Sequence, residues 1–265
     1  MYGKIVIKQI YIIAISLFVL SNVSLAKKES TSINNIELIN ITAKQKMLSQ
    51  RIAKDYLYSG KKIATSKANR ELEKSLKEFS DTHKKLLEVI DDPDIKNLLD
   101  FVTLSAEDLK NTINKDFTLD NAQLILDLSE SMLEGNQYIL DSLKKSTKLK
   151  ESDIISKVTQ QRMLSQRIAK YYIAYQSGIK DKNSVTSMRD TVKQFSDNLD
   201  ILMRNSNNTP KINAKLARIN KLWKIVNKFY NNIEKGGLPL IVFNTTDNIT
   251  KEMDELTNMF LSIRK

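Results

Sequence analysis

An octapeptide, Met47-Leu48-Ser49-Gln50-Arg51-Ile52-Ala53-Lys54, returns unchanged 116 residues later as Met163-Leu164-Ser165-Gln166-Arg167-Ile168-Ala169-Lys170. Most other positions at that offset differ, so the repeat marks two tandem copies of one module built on a shared, specialised first helix. Phe79-Ser80-Asp81 and Phe195-Ser196-Asp197 keep the same offset, so the correspondence extends beyond that helix. With 265 residues the chain can bury two cores of ordinary size.

Only 6 Gly and 3 Pro interrupt the chain, and helix-compatible residues dominate it. The spacing predicts a first helix over 33–59, stopped at Ser59-Gly60 where glycine offers a C-terminal cap; its counterpart stops at Ser177-Gly178. A second helix over 67–90 carries Leu72, Leu76, Phe79, Leu86 and Leu87 at helical spacing and ends at Asp91-Asp92-Pro93. Third helices follow the prolines, over 94–114 and 211–235, and fourth helices run over 119–145 and 241–263. The expected fold is therefore all-α: two tandem up-down-up-down four-helix bundles, one over 33–146 and one over 150–265. The joint between them has neither Gly nor Pro and fits two arrangements. A turn there stacks the bundles side by side with parallel first helices, whereas a continuous helix sets them end to end.

Residues 1–26 read as an export signal, with Lys4 and Lys8 ahead of an apolar run from Ile10 to Leu20 and a Ser24-Leu25-Ala26 cleavage site. An uncleaved membrane anchor is the alternative. A periplasmic or secreted location follows, and without cysteine there is neither a disulfide nor a lipidated N-terminus. The formal charge of +11 becomes +9 once the two signal lysines are removed. These charges are spread over every helix without an aromatic-interleaved basic strip, which argues against nucleic acid and fits anionic ligands or surfaces. No second apolar run of spanning length follows, so a message would have to pass through a separate membrane receptor or histidine kinase.

Placed at intervals of about 100°, the first helix shows two stripes. Leu38, Ile41, Gln45, Leu48, Ser49, Ile52 and Tyr56 form the stripe expected to face the module's own core. Nearly opposite lie Ile36, Ile39, Ala43, Lys46, Met47, Gln50 and Leu57, while Glu37, Lys44, Arg51 and Asp55 form a charged arc expected to be wet. A second stripe implies a second contact, with the sister module, another copy of the chain in a homodimer, or a partner. In the other module Ile155, Thr159, Arg162, Met163, Gln166 and Ile173 repeat it. Cations at Lys46 and Arg162 in a largely apolar seam call for something negative, and two facing first helices would seat a small oxyanion between them.

The stretches Ile39-Asn40-Ile41-Thr42-Ala43-Lys44-Gln45-Lys46-Met47-Leu48-Ser49-Gln50-Arg51 and Thr159-Gln160-Gln161-Arg162-Met163-Leu164-Ser165-Gln166-Arg167 resemble the N-terminal sensor domain of type IV pili methyl-accepting chemotaxis transducers. They are more distantly similar to the ligand-binding helix of nitrate/nitrite sensor kinases. The latter resemblance implies that the Arg before the motif's Met grips the anion, a position held here by Arg162 and, in module one, by Lys46. It makes Lys46, Met47, Gln50, Arg162, Met163 and Gln166 the candidate ligand-binding residues.

Other side chains have plainer readings. Gln50 and Gln166 are suited to hydrogen bonds across a helix interface, Ser49 and Ser165 to bonds with their own helix carbonyls, and Arg51 to a pair with Asp55. Met47 and Met163 read as packing, Trp223 as core, and the single histidine, His83, as a surface residue unable to build a metal site by itself. No nucleophile–base pair, phosphate loop or di-iron motif stands out, so neither catalysis nor a cofactor is expected. The sequence points to an exported sensor of a small, nitrate- or nitrite-like anion; the alternative is an envelope interaction module without a small ligand.

Overall fold

The computed structural model describes residues 35–146 and 153–262. The export signal and the joint between the modules lie outside the described residues. Module one comprises α1 (Asn35–Gly60), α2 (Thr65–Val89), α3 (Pro93–Ile113) and α4 (Leu119–Ser146). Module two comprises α5 (Asp153–Ser177), α6 (Lys182–Met203), α7 (Pro210–Asn231), a short 3-10 turn (Ile233–Lys235) and α8 (Pro239–Ser262). The fold is all-α, and none of the described helices is long and apolar enough to cross a membrane.

Local chemistry sets the helix starts. The Asp92 side chain accepts from the amides of Asp94 and Ile95, with Pro93 at the first helical position of α3. Thr209 caps Ile212 in the same way ahead of Pro210, and Asp181 caps Ser184. The two glycine stops differ from each other. Gly178 adopts φ 112°, a left-handed cap that only glycine takes without strain. Gly60 is still helical, and the positive φ values fall on Lys62 and Ala64 instead. Its role is steric, since a Cβ there would overlap the Phe117 ring.

Within each module the first helix packs on the second and fourth, and the third packs on the fourth. In addition α1 packs on α5 along their length, so the first helices stand at the centre of the assembly with three helical neighbours each. Residues from both helices line one cavity, Ile39 and Ala43 beside Thr159 and Met163. Because Ala43 and Thr159 are 116 residues apart, the two helices run parallel and in register. The modules are thus side by side, and the second stripe of each first helix is covered within the chain from Ile39 and Ile155 onward; Ile36, counted in that stripe, is instead exposed because it sits in the first turn of α1.

This central position explains the burial pattern. Residues 45–50 and 52–58 of α1 are all buried, as are residues 161–166 and 168–174 of α5. The expected wet arc is therefore corrected. Glu37 is exposed, but Lys44 and Arg51 are only half-exposed and Asp55 is fully buried, because a helix with neighbours on three sides has little free surface.

Candidate functional site

Polar side chains in and beside the repeated motif first anchor α1 and α5 within their own modules. Gln45 donates to the Phe79 carbonyl at 2.9 Å and Gln161 to the Phe195 carbonyl at 3.0 Å, tying each first helix to the second helix of its own module. Gln50 donates to the Ser129 carbonyl at 2.9 Å, and Gln166 to the Thr250 hydroxyl at 2.7 Å, tying each to its fourth helix. These are the cross-helix bonds expected of the glutamines. Ser49 and Ser165 donate back to the carbonyls of Lys46 and Arg162, as their positions implied. Met47 and Met163 are buried in the seam.

Lys46 and Arg162 are both buried, at 7% and 9% exposure. The Lys46 ammonium donates to the Gln137 side chain of α4, which in turn donates to Asp141. Arg162 donates to Asp254 of α8 at 2.8 Å. Gln137 and Asp254 occupy matching places, 117 residues apart, so an amide meets the cation in one module and a carboxylate in the other.

The two cations do not share one seat. Lys46 lines a cavity of about 170 Å³ with Lys144 and Gln137 on one side and Ser156, Thr159 and Gln160 of α5 on the other. Arg162 lines a different pocket of about 190 Å³, with Asn40, Ile41 and Lys44 of α1 and Thr257 and Asn258 of α8. The reason is geometric. Two parallel helices related by a near two-fold place equivalent flanking residues on opposite sides of the seam, so Lys46 and Arg162 open into different pockets.

The last residue of the octapeptide supplies a further pair of buried cations. Lys54 and Lys170 are completely buried, and each crosses to the other module. Lys54 donates to Asp247 of α8 at 2.5 Å, beside Lys67, which reaches the same carboxylate at 2.9 Å. Lys170 reaches Glu130 of α4 at 2.5 Å and the Ser129 hydroxyl at 3.0 Å, while Arg167 holds the other Glu130 oxygen at 2.6 Å. Glu130 and Asp247 are again 117 residues apart, so these crossed ion pairs are one device used twice. The sequence reasoning passed over these lysines. The signal was available, since Lys54 lies at about 220° on the wheel that places Ala43 at about 200° and Met47 at about 240°.

The two clusters are tuned differently. Burial works against the Lys54 ammonium, but Asp247 and Asp55 more than offset it and its pKa is raised. Burial lowers Lys170 to about 8, because Glu130 is its one close carboxylate and Arg167 competes for it. Glu130 is itself drawn down to about 2 by Lys170 and Arg167 against the effect of burial. Tyr171 stands in module two where module one has Asp55. Burial raises the Asp55 carboxyl to about 7, only partly opposed by Lys54 3.1 Å away and by Arg51 at 3.7 Å, the i,i+4 pair expected from sequence.

Asp55 therefore has a pH signature. Its folded pKa lies above the unfolded one, so its stabilising effect is complete below about pH 4 and is lost as pH rises to about 7. An uncharged amide mimics the protonated acid. Asp55→Asn is expected to match the wild type near pH 4 and to exceed it by roughly 2–4 kcal/mol at pH 8. Urea titrations at several pH values check this, and identical pH slopes for the two proteins would refute it.

Trp223 is core, as read from sequence. His83 is not a surface residue: it is 6% exposed, stacks on Phe79 at 5.7 Å and bonds Thr103 at 2.9 Å, because α2 turns this position toward α3.

Comparison with curated proteins gives no match, and neither does comparison with solved structures. A family model does match, in the second copy of the repeat, and the first copy is tied to that copy by the shared octapeptide and the matching seam. Residues 146–244, running from the end of α4 through α5, α6 and α7 into α8, match the family described as Type IV pili methyl-accepting chemotaxis transducer N-term.

Proposed function

We propose that this protein is an exported sensor that binds a small anion between its two modules and reports the bound state to a separate membrane receptor or kinase. The observation that carries this reading is the cavity at Lys46, which takes its walls from both modules. Lys46 and Lys144 supply positive charge there, and Ser156, Thr159 and Gln160 supply polar groups from α5. The Thr159 hydroxyl is buried without a hydrogen-bond partner, a group that a ligand oxygen would satisfy. Asp141 on the same wall selects for ligands small enough to sit against the lysines. Nitrate and nitrite are of the right size and charge.

The role is one of binding, not catalysis. An anion bridging α1 and α5 stabilises the packing in which both walls face it, and a ligand shifts an equilibrium only by that preference. The sensor-type match in module two supports a signalling role. The second stripe, which would otherwise suggest a docking module without a ligand, is already occupied within the chain.

Thermal-shift and calorimetric titration with nitrate, nitrite, phosphate and acetate tests the proposal. At least one of these anions is expected to raise Tm, with affinity falling about tenfold or more in Lys46→Met through the loss of a charge-assisted contact. No response to any anion, or an equal response in Lys46→Met, would overturn it. Arg162→Ala tests the other flank in the same way, and an anion response lost there but kept in Lys46→Met would move the site to the Arg162 pocket.

A further inference from the structure

The two modules differ in the gap between their second and third helices. In module two this gap is closed by Trp223 of α7, which lies against Phe195 of α6 with ring centres 4.2 Å apart and planes inclined by 33°, and donates its indole N–H to the Ser196 hydroxyl at 3.2 Å. Aligning the helices on Pro93 and Pro210 sets Ile95, Leu99, Val102 and Leu109 on Ile212, Leu216, Ile219 and Val226, all buried. The residue that then falls on Trp223 is Ala106.

Module one keeps the receiving surface without the plug. Phe79 and Ser80 stand where Phe195 and Ser196 do, and Ile52 and Met132 form the floor. With only a methyl group at Ala106, α2 and α3 are splayed around a cavity of about 510 Å³, within the size range of small-molecule sites. A second exchange adds polarity: the counterpart of buried Leu199 is His83, which lines this cavity and is more than nine-tenths buried. Its Nε2 bonds Thr103, but its Nδ1 has no hydrogen-bond partner in the protein. A buried polar atom left in this state calls for a partner from outside the chain.

We propose that the α2–α3 cavity of module one is a second ligand site, which takes a flat aromatic heterocycle carrying a ring N–H, of the indole type. The chain displays the binding mode in its other half. The ring lies against Phe79 as Trp223 lies against Phe195, and the ring N–H donates to Ser80 as the Trp223 N–H donates to Ser196. The Nδ1 of His83 meets a polar substituent on larger members of the class. This site is separate from the seam between α1 and α5, uses no residue of the Lys46 cavity, and stands whatever binds there.

Calorimetric titration of the full-length mature protein with indole tests the proposal. The wild type is expected to bind one indole per chain. Ala106→Trp, which plugs the cavity with the residue module two uses, is expected to lose binding, while Trp223→Ala opens the second gap and raises the stoichiometry to two. Should Ala106→Trp fail to fold, Ser80→Ala gives an independent reading. It is expected to weaken indole by about three- to tenfold and to leave indene, which has the same shape without the N–H, unchanged. No binding of indole to the wild type, undiminished binding in a folded Ala106→Trp, or equal effects of Ser80→Ala on indole and indene would each overturn it.

Discussion

Glu130→Ala is expected to cost about 3–5 kcal/mol, a large part of the 5–15 kcal/mol that holds a typical domain together. This carboxylate is shared by Lys170, which has no solvent exposure, and by Arg167. Its removal leaves fully buried Lys170 without a carboxylate, beside Arg167, which keeps some contact with solvent, and a buried charge without its partner costs far more than the pair was worth. The companion variant separates the two effects. Glu130→Ala combined with Lys170→Met replaces the pair by apolar packing and is expected to recover most of the loss. The pH dependence carries the same signature. Glu130 titrates at about 2 when folded, so its contribution is complete above about pH 4.5 and is lost as pH falls toward 2. In Glu130→Ala that part of the acid limb should vanish. Equilibrium urea unfolding between pH 2 and 7 measures both effects, and a loss below about 1 kcal/mol at pH 7 would mean that the pair is solvated and not buried.

Lys54→Met is expected to have an effect of similar size, about 3–5 kcal/mol, by the opposite charge imbalance. It leaves Asp247 with Lys67 as its remaining direct partner and takes away the ammonium that favours the charged form of fully buried Asp55. The Lys54 ammonium also lies over the Phe243 ring at 4.4 Å, next to the point where Tyr58 donates to the Pro239 carbonyl at 3.0 Å. The start of α8 is thus fastened to module one by Lys54, Lys67 and Tyr58 together. Hydrogen exchange in Lys54→Met should rise first in residues 239–247, before it rises in α6 and α7. Uniform exchange across module two would show that this fastening contributes little. A double-mutant cycle with Asp247→Asn is expected to return a coupling of about 1–3 kcal/mol, since the two groups touch.

Much of this arrangement could be read from the chain. The repeated octapeptide and the Phe-Ser-Asp match fall in equivalent places of the two modules, and the eight helices lie close to the spans that prolines, caps and apolar spacing predict. The second stripe on the first helix is buried against the sister module, with Lys46 and Arg162 inside that contact. Helical periodicity reports how many sides of a helix are covered, and here it reported two. It did not report the third. Asp55 and Arg51 looked wet because charge is usually a sign of solvent, and a charge balanced across a helix interface looks the same in a sequence. His83 was misplaced for a related reason: its burial comes from the angle at which α2 meets α3.

What the amino-acid order determined alone is the pair of equal all-helical modules and a first helix too apolar to have only one neighbour. These are local properties, set by residues three or four apart. Folding decided which way the modules stack, that Lys46 and Arg162 face different cavities, and which acids neutralise Lys54 and Lys170. The partners in those ion pairs are 193 and 40 residues apart along the chain, and no periodicity joins them. They meet because two parallel helices related by a near two-fold carry each lysine past its own bundle and into the other.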